Sequence, residues 1–159
     1  MSGTKIKSLK ALARICEGLK KKARKTVFTN GCFDILHYGH VMYLEKAKAK
    51  GDFLIVAVNS DASVRRIKGR KRPIVNEADR ARVVAGLESV DYVVVFDEDT
   101  PLKVIEAVKP DVLVKGADWR KKDIVGADFV RENGGSIYSV KLAGGRSTTG
   151  LIKKICANS

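Results

Sequence analysis

Residues 26–40 read TVFTNGCFDILHYGH, and this stretch decides the fold class. Its first part, VFTN at 27–30, is a short run of β-branched and aromatic residues that predicts a buried strand. A glycine turn follows at Gly31, and HYGH at 37–40 stands where the next helix begins. A strand that passes through a glycine turn into a helix is the opening unit of an α/β domain.

The same alternation continues through the rest of the chain. Four more short apolar runs predict buried strands, at 52–59, 92–96, 111–116 and 136–141. Helical patterns lie between and after them, at about 38–50, 76–89, 100–109, 123–132 and 147–157. Because such an alternation needs right-handed crossovers, we predict a doubly wound α/β domain: a five-stranded, mostly parallel sheet with helices on both faces.

An amphipathic helix is predicted before Thr26, where apolar residues recur at helical spacing with lysines between them. These residues are Leu9, Leu12, Ile15, Cys16 and Leu19. The length of 159 residues suits one domain with a core of its own. We therefore divide the chain into an N-terminal helix at 1–25, packed on the domain, and a single domain at 26–159.

Three helix ends show capping chemistry. Asn76 precedes Glu77 as an N-cap, and Thr100 precedes Pro101, which we expect at the first helical position. The run NGG at 133–135 closes the fourth helix after the first strand. These local signals agree with the helical periodicity.

The chain is strongly basic: 31 Lys and Arg against 18 Asp and Glu leave a net charge of +13. Such an excess favours an anionic partner, which is a nucleic acid, a phosphorylated metabolite or an acidic surface. Much of it lies in two runs, Lys20–Lys25 and Arg65–Arg72. We interpret the first run as a solvated helix end and the second as a loop.

The composition excludes several classes of protein. With 45% hydrophobic and 31% charged residues, the chain is neither disordered nor fibrous. It has no apolar run of the roughly 18 residues that a membrane span needs and no signal peptide, so we expect a cytoplasmic protein without a membrane partner. Cys16, Cys32 and Cys156 show no metal-ligand spacing, so we expect reduced thiols.

His37 and His40 are the only two histidines, and both stand at the start of a predicted helix. Two imidazoles three residues apart, with Gly39 between them, can face one anion together with the free N–H groups of the helix end. The alternative is a capped helix with two incidental histidines. A zinc site is weaker still, because no third ligand is apparent.

The HYGH segment resembles the signature of the HxGH nucleotidyltransferase superfamily. Within it, the chain resembles the adenylyltransferases of ADP-heptose synthesis over nearly its whole length. The matching motifs are TNGCFDILHYGHVMYLEKAKAKGD (29–52), VAVNSD (56–61), KGRKRP (68–73), DEDTP (97–101), VKGADW (114–119) and GGRSTT (144–149). These enzymes occur fused to a sugar kinase or free-standing, and we expect the free-standing form here.

The resemblance implies a Rossmann-like fold and an in-line displacement. A phosphate oxygen of D-glycero-β-D-manno-heptose 1-phosphate attacks the α-phosphorus of ATP, and pyrophosphate leaves. Mg²⁺ is expected with ATP, held mainly by phosphates, because the sequence shows no carboxylate cluster for it. His37, His40 and Lys68 are the expected catalytic residues, since donors are needed where negative charge grows.

The resemblance and the strand ends together assign two sets of binding residues. Nucleotide binding falls to Thr29, Asn30, Gly31, Cys32, Phe33, His37, Gly39, His40, Lys115, Gly116, Asp118, Arg146, Ser147, Thr148 and Thr149. Binding of the acceptor falls to Asp34, Asn59, Asp61, Lys68, Arg72 and Trp119.

Several of these roles have an alternative that the sequence leaves open. Asp34 is more readily a structural hydrogen-bond acceptor of the turn, and Asn59 and Asp61 can equally be turn caps. Trp119 is either a lid over the nucleotide or a packing residue. Arg80 either supports the loop or forms a salt bridge on the helix surface.

Two other functions compete with adenylyl transfer. Cytidylyltransferases that act on glycerol 3-phosphate or phosphoethanolamine share the HxGH and STT elements. A basic nucleic-acid-binding module would explain the charge, but no aromatic stacking motif accompanies it, so we expect no nucleic-acid partner. We also expect a homo-oligomer, a dimer or larger.

Overall fold

The structure, a computed structural model, describes residues 2–116, 124–140 and 147–158. A 3₁₀ turn at Ser2–Lys5 precedes the first helix. The elements then follow as α1 (Leu9–Lys21), β1 (Thr26–Gly31), α2 (Tyr38–Lys48), β2 (Phe53–Asn59), α3 (Asp61–Lys68), α4 (Glu77–Ala85), β3 (Tyr92–Phe96), α5 (Leu102–Val108), β4 (Val112–Gly116), α6 (Ala127–Glu132), β5 (Ser136–Val140) and α7 (Thr148–Ala157).

All five strands are parallel, in the order β3-β2-β1-β4-β5. The chain winds outward from β1 to β3 and then returns to the other side of β1 with β4. This reversal places the topological switch point between β1 and β4, where doubly wound sheets bind their ligands. The predicted five-stranded parallel α/β sheet is confirmed.

The two faces of the sheet each carry a separate core, because successive strand residues point to opposite faces. Val27 packs with Leu44 of α2 and Val84 of α4 on one face. On the other face, Phe28 packs with Leu12 of α1 and Ile105 of α5. Both faces are therefore covered by helices, which explains why the central strands are almost wholly apolar.

The N-terminal segment also covers one edge of the sheet. Ile6 forms a parallel bridge with Val93 of β3, and the Lys7 N–H donates to the Val93 carbonyl at 2.8 Å. Ser8 then caps α1 by accepting from the Ala11 N–H. An edge strand with unpaired backbone groups invites pairing with other chains, so this bridge protects β3.

The helix ends agree with the sequence at most positions. The Asn76 side chain caps α4, and α6 ends at Asn133, with Gly134 following at a φ of +79°. The expectation at Pro101 is wrong: Pro101 is itself the N-cap of α5, without a side-chain hydrogen bond, and the helix begins at Leu102. The ring of Pro101 is buried, so packing rather than capping sets this end.

Two interpretations of longer segments need correction. The basic run at 65–72 is not a loop throughout, because its first four residues are the end of α3, which Ser60 caps. β5 is not a buried strand: it lies at the sheet edge, and its Tyr138 is 39% exposed. The run at 20–25 is exposed as expected. No helix in the described residues is long and apolar enough to cross a membrane.

Candidate active site

A cavity of about 480 Å³ opens at the carboxyl ends of β1, β2 and β4, which is the edge that the switch point predicts. Its lining combines three loops with the N-terminal turn of α7. The lining residues are Asn30, Gly31, Cys32, Phe33, Asp34, His40, Tyr43, Asn59, Ile67, Lys68, Arg72, Asp99, Thr100, Pro101, Lys115, Gly116, Ile124, Val125, Thr148 and Thr149.

The turn after β1 is tightly folded against the cavity. Phe33 has a φ of +48°, a left-handed conformation that is uncommon for a residue with a side chain. Its ring lies against Gly31, where an added Cβ would come within 3.0 Å of the ring. Gly31 therefore gives the Phe33 ring room at this turn, since a Cβ there would be in tight contact with the ring.

His37 and His40 cap α2 reciprocally. The Gly39 N–H donates to Nδ1 of His37 at 3.1 Å, and the His37 N–H donates to Nδ1 of His40 at 3.3 Å. The two ring centroids lie 3.9 Å apart. Because each Nδ1 accepts a hydrogen bond, the network assigns the proton of each neutral ring to Nε2.

Burial and, to a smaller extent, the neighbouring His37 together lower the pKa of His40 to about 4. The imidazole of His40 is consequently neutral at physiological pH. It lines the cavity as a hydrogen-bond donor through Nε2 rather than as a cation. The capped-helix explanation and the anion-facing explanation are thus compatible, because capping uses Nδ1 alone.

The buried carboxylate of Asp34 holds the loop at 69–75 beside this turn. It accepts from Nε of Arg72 and from the N–H groups of Ile74 and Val75. Burial raises the pKa of Asp34, but the hydrogen bonds of Val75, Ile74 and Arg72 outweigh it, so the pKa lies below its ordinary value. Asp34 therefore carries the structural contacts expected of it, and Arg72 is brought to the cavity wall.

Arg80 joins three segments from within the core, where it is 1% exposed. Its guanidinium donates to the carbonyl oxygens of Cys32 and Val75 and to Oδ1 of Asp61 at 2.5, 2.9 and 2.8 Å. The interpretation as a surface salt bridge is wrong. Arg80 supports the loop, because its fork of donors fits carbonyls from both sides of the turn.

Lys115 and Asn30 meet at the switch point itself. The Lys115 ammonium donates to Oδ1 of Asn30, so the strand ends of β4 and β1 are joined across the cavity floor. On the opposite wall, burial raises the pKa of the Cys32 thiol despite the nearby Lys68, Arg80 and Arg72. Cys32 is thus a thiol and not a nucleophilic thiolate at neutral pH.

The N-terminus of α7 closes the remaining side. Ser147 caps the helix by accepting from the Gly150 N–H, and the Thr148 hydroxyl donates to the Ile35 carbonyl. Thr148 and Thr149 both line the cavity. The free N–H groups of a helix end provide positive potential for an anion at this position.

Most of the predicted site residues lie together, but some do not reach the cavity. Thr29 is fully buried, and its hydroxyl bonds to that of Tyr43. The carboxylate of Asp61 is engaged by Arg80. The remaining residues outside the lining have capping positions: His37, Gly39 and Ser147. Asp118, Trp119 and Arg146 lie outside the described residues.

Sequence reasoning missed several lining residues. Asp99, Thr100 and Pro101 follow β3, whose carboxyl end borders the same edge as that of β2. Ligands of doubly wound sheets bind beyond the carboxyl ends of the strands, and this rule, applied to the end of β3, predicts these three residues. Tyr43, Ile67, Ile124 and Val125 carry apolar surface and no sequence signal for binding.

A metal ion expected with ATP has no evident protein cage in the described part of the chain. Across residues 2–116, 124–140 and 147–158, no three His, Cys, Asp or Glu side chains converge as ligands. Mg²⁺ needs about six oxygen ligands and usually takes several from phosphates and water. The side chains of the described residues would leave such an ion to be held mainly by the phosphates of the nucleotide.

The fold and the cavity together define a class of protein, the α/β nucleotidyltransferases. A cytidylyltransferase-like family model matches residues 28–146, three quarters of the chain. The chain therefore belongs to the cytidylyltransferase-like family of nucleotidyltransferases.

Relatives agree with this assignment. The bifunctional protein HldE of Geobacter metallireducens is 56% identical over 154 residues, which are 97% of this chain and 31% of that protein. HldE of Wolinella succinogenes is 55% identical over 154 residues, 97% of this chain and 32% of that protein. The chain thus spans about a third of the length of these curated relatives.

Two solved structures have the same fold. A lipopolysaccharide core biosynthesis protein from Thermoplasma volcanium is 32% identical, with a TM-score of 0.61 over 76% of this chain and 97% of that chain. A pantoate-β-alanine ligase from Francisella tularensis is 17% identical, with a TM-score of 0.64 over 91% of this chain and 69% of that chain. The second likeness concerns the fold alone.

Proposed function

We propose that this chain transfers AMP from ATP to D-glycero-β-D-manno-heptose 1-phosphate, giving ADP-heptose and pyrophosphate. The observation that carries the proposal is the cavity at the switch point. It gathers His40, the basic pair Lys68 and Arg72, and the N-terminus of α7 around one space. These are donors and cations suited to two phosphorylated substrates.

The reaction needs no covalent intermediate. An oxygen of the sugar phosphate attacks the α-phosphorus of ATP, a new P–O bond forms, and the bond to pyrophosphate breaks. Because the attacking phosphate is already ionised, no general base is required. The contribution of the protein is positioning and the stabilisation of negative charge as it moves to the leaving oxygens.

We assign the stabilisation of charge to Nε2–H of His40 and His37. A neutral donor that is fixed by its own helix cap needs no reorganisation when charge develops. Lys68 and Arg72 are assigned to the acceptor phosphate, and Arg72 is pre-oriented by Asp34. Thr148 and Thr149 at the α7 end are assigned to the triphosphate, together with Arg146.

The turn at 29–33 and the end of β4 are assigned to the nucleotide. Gly31 and Gly116 line the cavity at the switch point, where their main chain is assigned to contact the ligand. Asp118 belongs to the same proposal for the base and ribose, and Trp119 to the acceptor side. The homo-oligomeric state and the cytoplasmic location remain predictions, which sedimentation and cell fractionation would test.

The choice of a heptose phosphate is supported by motif resemblance at 29–52 and by the relatives. Proteins that bear the name HldE are 49–56% identical to this chain, and a solved relative bears a title from lipopolysaccharide core biosynthesis. An alternative is a cytidylyltransferase that acts on glycerol 3-phosphate or phosphoethanolamine, which the name of the matching family model favours.

The test is pyrophosphate release by the purified chain with Mg²⁺ and either ATP or CTP. Heptose 1-phosphate, glycerol 3-phosphate and phosphoethanolamine are the acceptors, each with each nucleotide. Release with ATP and heptose 1-phosphate alone is the expected result. Release with CTP and another acceptor supports the alternative, and no release with any pair overturns the assignment of both substrates.

A further inference from the structure

One face of α3 holds the loop that follows β3. Three residues of that face, spaced by three, contact three successive residues of the loop. Ser60 Oγ donates to Oδ1 of Asp97 at 2.5 Å, Ser63 Oγ donates to the Glu98 carbonyl at 2.9 Å, and Nε of Arg66 donates to Oδ1 of Asp99 at 2.6 Å. The loop at 97–99 is therefore aligned along the helix.

The central contact of the three fixes the orientation of a neighbouring amide. The hydroxyl of Ser63 has one hydrogen, and it donates that hydrogen to the Glu98 carbonyl. Oγ of Ser63 must then act as acceptor toward Asn59, whose Nδ2 lies 3.0 Å away. The amide of Asn59 cannot rotate by 180° without placing two acceptors against each other.

This orientation leaves Oδ1 of Asn59 for the cavity. Asn59 is 3% exposed and lines the cavity at the carboxyl end of β2. In the described residues no donor contacts its Oδ1. No buried side-chain nitrogen or oxygen in the described residues lacks a hydrogen-bond partner, so Oδ1 of Asn59 is open to the cavity, where a donor of a bound molecule is its expected partner.

A second acceptor lies on the same wall. Asp99 lines the cavity, and its Oδ1 accepts from Nε of Arg66 in an ion pair that is exposed to solvent. An amide oxygen and a carboxylate accept hydrogen bonds and donate none. A phosphate is negatively charged and would be repelled by Asp99, so it is assigned to Lys68 and Arg72, which also line the cavity.

We propose that Asn59 and Asp99 form a subsite that binds the hydroxyl groups of the acceptor substrate, and that Ser63 positions the Asn59 amide for it. This inference rests on the proposed function and names the part of the acceptor that is recognised. The subsite selects a polyhydroxylated sugar phosphate by at least two hydroxyl donors. Asp61 has no part in it, because Asp61 is not among the residues that line the cavity.

The first experiment separates acceptor binding from catalysis. Asn59→Ala and Asp99→Ala should each raise the KM for heptose 1-phosphate by about tenfold, the effect of one lost hydrogen bond, with kcat and the KM for ATP near wild type. Glu98→Ala is the matched control: it removes a carboxylate that pairs with Lys103 and keeps the carbonyl that Ser63 uses. If the KM for heptose 1-phosphate is the same in all three variants, the subsite is overturned.

Ser63→Ala tests the positioning role. The freed amide can then present either its oxygen or its NH₂ group, so the KM for the acceptor should rise several-fold with kcat unchanged. Ser63→Thr, which keeps the hydroxyl, should recover the lower KM. Circular dichroism checks that both variants fold, since Ser63 is fully buried. A change in kcat with no change in the acceptor KM contradicts the role.

Deoxy analogues of the sugar phosphate provide a test at single hydroxyl groups. Wild type should bind one analogue about tenfold more weakly than the parent compound. In Asn59→Ala that penalty should disappear, because the partner of the missing hydroxyl is already gone. If every analogue still binds more weakly than the parent compound to Asn59→Ala and to Asp99→Ala, neither residue binds a hydroxyl group.

Titration calorimetry with heptose 1-phosphate distinguishes failure of this inference from failure of the proposed transfer. Weaker binding by Asn59→Ala and Asp99→Ala without any pyrophosphate release supports the subsite and overturns the transfer. Unchanged binding by both variants overturns the subsite, even when wild type is active. A preference of wild type for phosphoethanolamine that Asp99→Ala removes also overturns it, because the carboxylate would then bind an ammonium.

Discussion

The carboxylate of Asp34 lies 2.5 Å from Nε of Arg72, and this pair connects the turn after β1 to the basic loop at 69–75. Asp34 is 4% exposed and also accepts the N–H groups of Ile74 and Val75. A single buried anion thus organises a cation of the cavity wall and the backbone beside it. The arrangement suits a site in which Arg72 must be in place before a phosphate arrives.

Asp34→Asn should destabilise the fold by roughly 2–3 kcal/mol, because Oδ1 keeps the N–H groups of Ile74 and Val75 while an NH₂ group in place of Oδ2 faces Nε of Arg72. Urea unfolding, followed by circular dichroism, measures the change. Asp128→Asn is the control, since Asp128 is exposed and pairs only with Arg131, and it should stay within about 0.5 kcal/mol. Equal stabilities of the two variants would contradict the organising role of Asp34.

The His40 ring should titrate near pH 4 in the free protein, because burial and His37 disfavour its cation. NMR of the two imidazoles measures this directly, and His37→Asn assigns the signals. The unfolded chain has an ordinary histidine pKa of about 6.5, so it gains a proton first as pH falls. Stability should therefore decline between about pH 6.5 and pH 4. A His40 pKa near 6.5 would show that the ring is solvated.

His37→Asn should separate the capping role of His37 from its catalytic role. Asparagine is a good N-cap and can accept from the Gly39 N–H, so stability should remain near wild type. It has no donor in the place of Nε2, and kcat should fall about 100-fold or more. His37→Ala should show the same loss of kcat and a further loss of about 1 kcal/mol in stability. Wild-type turnover by His37→Asn would remove His37 from the proposed chemistry.

Arg80→Met should destabilise the fold by about 3–5 kcal/mol, because it leaves Asp61 and two buried carbonyl oxygens without their donor. Arg80→Lys should recover only part of this loss, since one ammonium cannot reach all three acceptors. Thermal unfolding measures both. Arg82→Met, on an exposed position of the same helix, is the control and should leave the melting temperature unchanged. A similar melting temperature for Arg80→Met would mean that water replaces the guanidinium.

The sequence predicted the first four strands well because their apolar runs are nearly uninterrupted, whereas serines interrupt the exposed edge strand β5. It missed α3, since only Ser63 and Val64 of that helix are buried and no apolar stripe marks it. Its amphipathic signal is carried by charged residues, which periodicity in hydrophobic residues does not detect. Without α3, the contacts that align the loop at 97–99 with the cavity could not be predicted.

Arg80 shows at a single residue what local sequence cannot predict. An arginine inside a helix that also carries Glu77 and Asp79 suggests a surface ion pair. Its burial follows from the packing of α4 under the turn after β1, a contact between residues 48 positions apart. Local sequence contains no information about which side of α4 that turn will cover.

The sequence by itself determined the order of the strands and of the helices other than α3, the class of fold and the turn that carries His37 and His40. These depend on local periodicity, on glycine and on helix caps, all of which are encoded within about ten residues. Tertiary structure alone decided the neutral state of the buried His40, the burial of Arg80 and the placement of Asp99 and Asn59 in one cavity. Each depends on burial or on contacts between segments distant in the chain, and these exist only once the sheet has brought the strand ends together.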